Sequence, residues 1–355
     1  MFKFLFIIFA ISVHNIYTED IIGNACTLNA SNSPGTCKLL TECEEIQDEV
    51  AFGHEVPQTC GFQGTQSVVC CPKSRRPGYI SEKKCREYAS SPQETQFRGH
   101  KIVKRVVGGE PAGRKEFPHM AILGYQTGDP DEGPWWVCGG SLISEQYILT
   151  AAQCMFGGNP DAPNFVLLGV TNLNDTNHRQ EIKIVSKVVH PEYKTSSHYH
   201  DIALVKLEKP VEINSYARPA CLQTKFEIPA IKTIATGWGT TGVGGEPSEN
   251  LLKVTLDIVD YQICKNTYKT TRNLKNGIID DTQICTGGDD GQDTCQGDAG
   301  GPLQIHQNND LIQRIYHIVG VTSFGIGCGS RPAVNTRVSY YIKWIEDTVW
   351  PENNQ

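Results

Sequence analysis

Gly297-Asp298-Ala299-Gly300-Gly301-Pro302 is the stretch on which the reading of this chain turns. Its glycines and proline make it a loop, with Ala299 at its third position. Working outward from it, short apolar runs alternate with turn signals at residues 119–125, 147–151, 165–169, 181–190, 202–207, 231–236, 251–258 and 317–323. That pattern predicts an all-β antiparallel barrel or sandwich. Near the end, Val338, Tyr341, Ile342, Ile345 and Val349 recur at helical spacing. They predict one terminal amphipathic helix packed on the sheet.

With 355 residues the chain has room for one large domain and something smaller. Its 34 glycines and 19 prolines suit a loop-rich all-β chain better than a helical one. A formal net charge of -7 offers no electrostatic case for nucleic acid. At the N-terminus, Lys3 precedes an apolar run over 4–13, and polar residues follow from His14. Residues 1–18 therefore read as a secretory signal, cleaved near Thr18. The run is far shorter than the ~20 residues a membrane span needs, so no membrane partner is expected and the protein is expected to be secreted and extracellular. Fourteen cysteines, an even number, make disulfides the default there. Asn29 and Asn174 head glycosylation sequons, Asn29-Ala30-Ser31 and Asn174-Asp175-Thr176.

Residues 25–71 carry Cys26, Cys37, Cys43, Cys60, Cys70 and Cys71. The segment is too short and too polar to build much of a core, so cross-links must supply much of its stability. The pairing stays open on sequence alone, although neighbours such as Cys70 and Cys71 rarely bond each other. Residues 72–105 are rich in charge, Pro and Ser, as in Ser74-Arg75-Arg76-Pro77-Gly78, and predict an extended, exposed linker. Its one cysteine, Cys85, needs a partner elsewhere. The linker ends in Lys104-Arg105 ahead of Val106-Val107-Gly108-Gly109; that run resembles the mature N-terminus of trypsin-like proteases, which implies a proteolytic site after Arg105.

The signatures Trp136-Val137-Cys138-Gly139-Gly140-Ser141-Leu142-Ile143, Leu149-Thr150-Ala151-Ala152-Gln153-Cys154, Asp201-Ile202-Ala203-Leu204 and Ala235-Thr236-Gly237-Trp238-Gly239 stand in order before the Gly297 loop. Together they make residues 106–350 resemble the chymotrypsin-like (peptidase S1) serine proteases. The cysteine spacing of 25–71, ending in a doublet ahead of such a domain, resembles the arthropod clip domain. The resemblance implies a chymotrypsin-like double antiparallel β-barrel, two six-stranded barrels with a C-terminal helix, behind a small disulfide-stapled clip domain. It also implies the pairs Cys26–Cys70, Cys37–Cys60, Cys43–Cys71, Cys138–Cys154, Cys264–Cys285 and Cys295–Cys328, which leaves Cys221 for Cys85.

By the same resemblance the catalytic positions are Gln153, Asp201 and Ala299. The reaction needs a hydroxyl nucleophile, an imidazole base and a carboxylate to hold the imidazole. Only the carboxylate is present, and an amide cannot serve as a base near neutral pH. His190, His198 and His200 lie near Asp201 in sequence and read as ordinary loop histidines, since a base without a nucleophile achieves nothing. Ser323 is expected to pack and hydrogen-bond around Asp201. The primary pocket would be formed by Asp293, Gly325 and Ala333, with the β-carbon of Ala333 narrowing it. The backbone N–H groups of Gly297 and Ala299 match an oxyanion hole. After cleavage, the ammonium of Val106 would pair with Asp298. No cofactor is indicated, and no metal pattern is visible.

The function implied is that of a non-catalytic clip-domain serine protease homologue. It would be cut by an upstream trypsin-like protease and would act as a cofactor or regulator on other cascade proteins, proteases or prophenoloxidase-type zymogens. The setting would be innate immunity and melanisation, or venom. The alternatives are an active trypsin-like endopeptidase with unusual chemistry, or a laboratory-inactivated mutant of one. Gln153 and Ala333 beside Ala299 speak against the mutant.

Overall fold

The structure is a computed structural model that describes residues 21–51, 53, 57–90, 109–125, 135–156, 162–240, 244–287, 297–306, 315–325 and 331–351. The chain divides between Arg76 and Pro77 into two compact units.

The first unit is a four-stranded antiparallel sheet. Its strands β1 (Ala25–Leu28), β2 (Ser33–Leu39), β3 (Thr59–Gln63) and β4 (Gln66–Pro72) lie in the order β1-β2-β4-β3, with helix α1 (Glu44–Ala51) between β2 and β3 in sequence. Its apolar core is small: Cys43, Ile46, Val69 and Cys71, with Leu40 against them. Disulfides Cys26–Cys70, Cys37–Cys60 and Cys43–Cys71 tie this sheet and helix together. Each such closure contributes about 2–4 kcal/mol by restricting the unfolded chain, which is how so little core suffices.

The second unit opens with helix α2 (Tyr79–Ser90) and then builds two barrels. The first contains β6 (Met120–Tyr125), β7 (Trp135–Leu142), β8 (Tyr147–Thr150), β9 (Phe165–Leu168), β10 (Gln180–Val189) and β11 (Ala203–Leu207), closed in the order β10-β11-β8-β7-β6-β9. The second contains β13 (Lys232–Gly237), β14 (Leu252–Ile258), β15 (Gln283–Gly287), β16 (Pro302–His306), β17 (Tyr316–Phe324) and β18 (Ala333–Arg337). Pairing of β17 with β18 closes it, while β5 (Glu110–Pro111) adds to β14 and β12 (Cys221–Leu222) runs parallel to β17. Helix α3 (Tyr261–Thr267) is started by the Asp260 carboxylate, which accepts from the N–H groups of Gln262 and Ile263. The all-β architecture expected from the alternating runs is therefore present, and it takes the two-barrel form that the resemblance implied. Between the barrels, Phe117, Met120, Ile122, Leu167 and Val170 of the first pack with Trp238, Leu251 and Tyr316 of the second. Among the described residues, no helix is long and apolar enough to cross a membrane.

The C-terminal stripe is also where the spacing placed it. Val338 and Tyr341 lie in a 3-10 turn that runs into α4 (Ile342–Val349), and all five stripe residues are buried. The linker reading needs correction. Residues 79–90 are helical, not extended, and Tyr79, Ile80, Ser81 and Tyr88 of α2 are buried. Cys85 is bonded to Cys221, and the buried carboxylate of Glu346 on α4 accepts from the N–H groups of Gly78 (2.9 Å) and Ser81 (2.7 Å). Tertiary anchors, not local periodicity, hold this helix.

One buried histidine gives the large unit an acid sensitivity. His119 is 1% exposed and packs against Phe117 and Tyr316. Burial lowers its pKa from 6.5 to about 3. A depressed folded pKa means stability that is present above about 6.5 and is lost as pH falls toward about 3. The expected size is on the order of 5 kcal/mol. Urea midpoints at pH 7 and pH 4 should therefore fall less for His119→Met than for the natural chain. Equal losses would show that His119 carries none of the acid response.

Candidate functional site

The residues picked out by sequence meet where the barrels adjoin. Gln153 sits in a 3-10 turn (Ala152–Met155) directly after β8, and Cys138–Cys154 ties that turn to β7. Asp201 comes immediately ahead of β11, is 3% exposed, and its carbonyl oxygen accepts from Thr336 Oγ1 of β18 at 2.8 Å. Ser323 lies on β17. The carboxylate of Asp201 is fully engaged. Its Oδ1 accepts from the Gln153 backbone N–H (2.8 Å), and its Oδ2 accepts from Gln153 Nε2 (2.8 Å) and from Ser323 Oγ (2.5 Å). Gln153 Nε2 also donates to the Ser323 carbonyl oxygen at 2.5 Å. The amide nitrogen thus has both its protons spoken for.

Among the described residues, no Lys or Arg pairs with this carboxylate. Burial pushes the Asp201 carboxyl above its usual range, while the Ser323 hydroxyl and the two Gln153 donors pull the other way. Among the described residues, none of the three nearby histidines hydrogen-bonds that carboxylate. His198 stacks on Phe324 at 4.3 Å, and His190 and His200 stack on each other at 5.2 Å. Burial also lowers the His198 pKa, with Asp201 opposing it.

The Gly297 loop is held against the same corner. Gly139 N–H donates to the Ala299 carbonyl (2.9 Å), Gly300 N–H to that of Thr322 (2.8 Å), and Gly301 N–H to that of Asp298 (2.9 Å). Gly300 has φ +80, and a β-carbon on it would lie 2.2 Å from Thr150 Oγ1 and 2.6 Å from the Gly139 carbonyl oxygen. Only glycine fits there. The N–H groups of Gly297 and Ala299 have no hydrogen-bond partner among the described residues. Asp298 turns the other way, with Oδ1 accepting from Gly239 N–H at 3.0 Å. It packs so tightly on Gly237 that a β-carbon there would sit 2.0 Å from Oδ1.

Of the residues expected to form the pocket, Gly325 follows β17 and Ala333 begins β18, buried to 2% exposure. These strands are paired, with Phe324 opposite Val334. Asp293, Arg105, Val106 and the Cys295–Cys328 pair lie outside the described residues, as does the 1–18 segment. Cys264 is bonded to Cys285. Asn29 and Asn174 are both exposed. What sequence reasoning missed is the second bond of Gln153, to the Ser323 carbonyl, and the Thr336 contact that carries Asp201 on the opposite barrel. Neither has a local signal, because each partner lies more than a hundred residues away.

The family model described as Trypsin matches residues 106–345. Serine protease snk of Drosophila melanogaster is 37% identical over 350 residues, covering 93% of this chain and 80% of its own. CLIP domain-containing serine protease B4 of Anopheles gambiae is 31% identical over 358 residues, 93% of each chain. Phenoloxidase-activating factor 3 of Holotrichia diomphalia is 31% identical over 366 residues, 96% of this chain and 97% of that one. With the two closed barrels, the disulfide-stapled N-terminal unit and these matches over nearly the full length, the chain belongs to the clip-domain serine proteases of the trypsin family.

Proposed function

We propose that this chain is a secreted, non-catalytic member of that family, cut after Arg105 by a trypsin-like protease and acting by binding other proteins of an extracellular cascade. The observation that carries the reading is the Gln153 amide. It donates to Asp201 and to the Ser323 carbonyl, where catalysis needs a group that can take up a proton. Ala299 supplies no nucleophile, and loss of either component costs on the order of a millionfold in rate. Ala333 narrows the pocket whose floor would be Asp293, so deep arginine binding is lost as well. Asp298 keeps the role of receiving the Val106 ammonium, so cleavage still reshapes the loops around it. The partners are proteases or prophenoloxidase-type zymogens, a class suggested by the names of relatives such as Phenoloxidase-activating factor 3 and the Venom serine protease Bi-VSP of Bombus ignitus.

The test is to cleave the purified chain after Arg105 and offer it Arg-directed peptide substrates and a serine-reactive phosphonate. No turnover and no labelling are expected, and either signal from the mature domain would sink the non-catalytic reading. A second measurement addresses the switch. In pull-downs from the source body fluid, the cleaved chain should capture partners that the intact chain does not. Arg105→Gln and Asp298→Asn should both lose that capture. Undiminished capture by both variants would make the processing site vestigial.

A further inference from the structure

In the loop that carries Asp201, two imidazoles and a carboxylate converge. One ring nitrogen of His190, one of His200 and one carboxylate oxygen of Glu192 all lie within 4.8 Å of one another. We propose that His190, Glu192 and His200 form a binding site for a divalent transition-metal ion of the zinc class, which clamps the loop that delivers Asp201.

The fold builds this arrangement deliberately. His190 follows directly on β10, and its N–H donates to the Ile202 carbonyl at 3.1 Å, closing the base of the loop. Tyr193 N–H donates back to the His190 carbonyl at 3.0 Å, which turns Glu192 outward beside the imidazole. His200 holds φ +56, in the left-handed region that residues with a β-carbon avoid. Backbone strain of this kind persists where surrounding structure imposes it, and it gathers at functional sites. Here it lays the two rings parallel, 13° apart with centroids 5.2 Å apart.

The surroundings suit a metal. Tyr341 and Trp344 present themselves edge-on to His190, with ring centroids at 5.0 and 5.1 Å, and form an apolar wall. The Tyr341 hydroxyl lies 3.0 Å from His200 Nδ1, and the Glu192 N–H donates to His190 Nδ1 at 3.3 Å. The imidazoles are largely covered, whereas the Glu192 side chain is 67% exposed and leaves the site open to solvent.

The donor set also chooses the ion. Two imidazoles with one carboxylate suit zinc, whose bonds to nitrogen and oxygen are about 2.0–2.2 Å long, and leave further coordination positions for water. Calcium and magnesium favour all-oxygen shells. The three donors must draw together by about 1 Å for such bonds, and the exposed Glu192 side chain is free to supply most of that movement.

The experiment is isothermal titration of the untagged full-length chain with zinc chloride, with calcium chloride as the comparison. One equivalent of zinc should bind and calcium should not. Glu192→Gln should weaken zinc by at least about tenfold, and His200→Asn should remove the equivalent. His178→Gln, which alters a histidine stacked on Tyr216 away from the loop, should leave zinc binding unchanged. Because His190 is buried, the exposed Glu192 variant keeps the test free of misfolding. Cobalt added in place of zinc should give the visible bands of an imidazole-ligated ion, lost in His200→Asn. Zinc bound equally well by all three variants, or no zinc bound by the natural chain, overturns the proposal.

Discussion

Gln153→His and Ala299→Ser introduced together should turn the cleaved chain into a peptide hydrolase, and neither change alone should do so. The reason lies in how much of the site stands ready. The Gln153 backbone N–H and the Ser323 hydroxyl already fix the Asp201 carboxylate from two sides. An imidazole at residue 153 would replace the amide bond to Oδ2 with an Nδ1–H bond, and Asp201 would then stabilise the imidazolium formed during reaction. It would give up the bond to the Ser323 carbonyl, which the amide makes with its second proton. The 299 backbone is held by Gly139 and by the turn at Gly300, so a hydroxyl added to its β-carbon arrives on a rigid loop. The N–H groups of Gly297 and Ala299, without a partner among the described residues, would then receive the oxyanion, which is worth about 10²–10³ in rate per donor.

Nucleophile and base act as a unit, so the singles should stay at background while the pair gains on the order of 10³-fold or more. A panel of substrates differing at the residue before the cut reads the pocket in the same assay. If the Ala333 methyl obstructs it, small side chains should be preferred over arginine. Restoring glycine at 333 should move the preference toward arginine. A correctly cleaved double variant that neither labels with a phosphonate nor hydrolyses any member of the panel would show that the scaffold itself is no longer poised.

How much of this could be read without coordinates follows from the range over which each feature is decided. The strands were legible because alternation of apolar residues and turns is local, and a strand such as β6, buried at every position, stands out as a short apolar run. The terminal helix was legible because its stripe completes itself within a dozen residues. Gln153 and Ala299 were legible because each sits inside a contiguous motif whose other members are intact. Helix α2 was not, since its buried side chains give no sustained period and its N-terminal acceptor, Glu346, lies 265 residues from Ser81. Nor was the meeting of His190, Glu192 and His200, which depends on a loop closing through the His190–Ile202 bond and on one left-handed residue.

Loss of the Glu346 carboxylate should be the most damaging single change to the attachment of α2. The first turn of a helix leaves N–H groups without intrahelical partners, and those of Gly78 and Ser81 are buried against α4. Glu346, 3% exposed, supplies both acceptors, and its negative charge also suits the positive end of the helix dipole. Glu346→Ala removes both acceptors while the donors stay buried, so a loss of about 2–5 kcal/mol is expected. Glu346→Gln keeps one acceptor oxygen and the volume, and should fall between.

Global unfolding in urea gives the total. Hydrogen exchange at the Ser81 amide tells whether the loss is local to the helix. Unchanged protection of Ser81 in Glu346→Ala would mean that the carboxylate does not cap α2. The disulfide separates the two anchors: with Cys85–Cys221 intact the variant helix should remain tethered, although frayed at its start. Reduction of that bond should release it to proteolysis in the variant well before the natural chain. The same bond decides what cleavage after Arg105 achieves. A cut there would free a new N-terminus at Val106 without shedding α2 or the segment before it, so any partner of a cleaved form would meet both units of the chain on one covalent molecule.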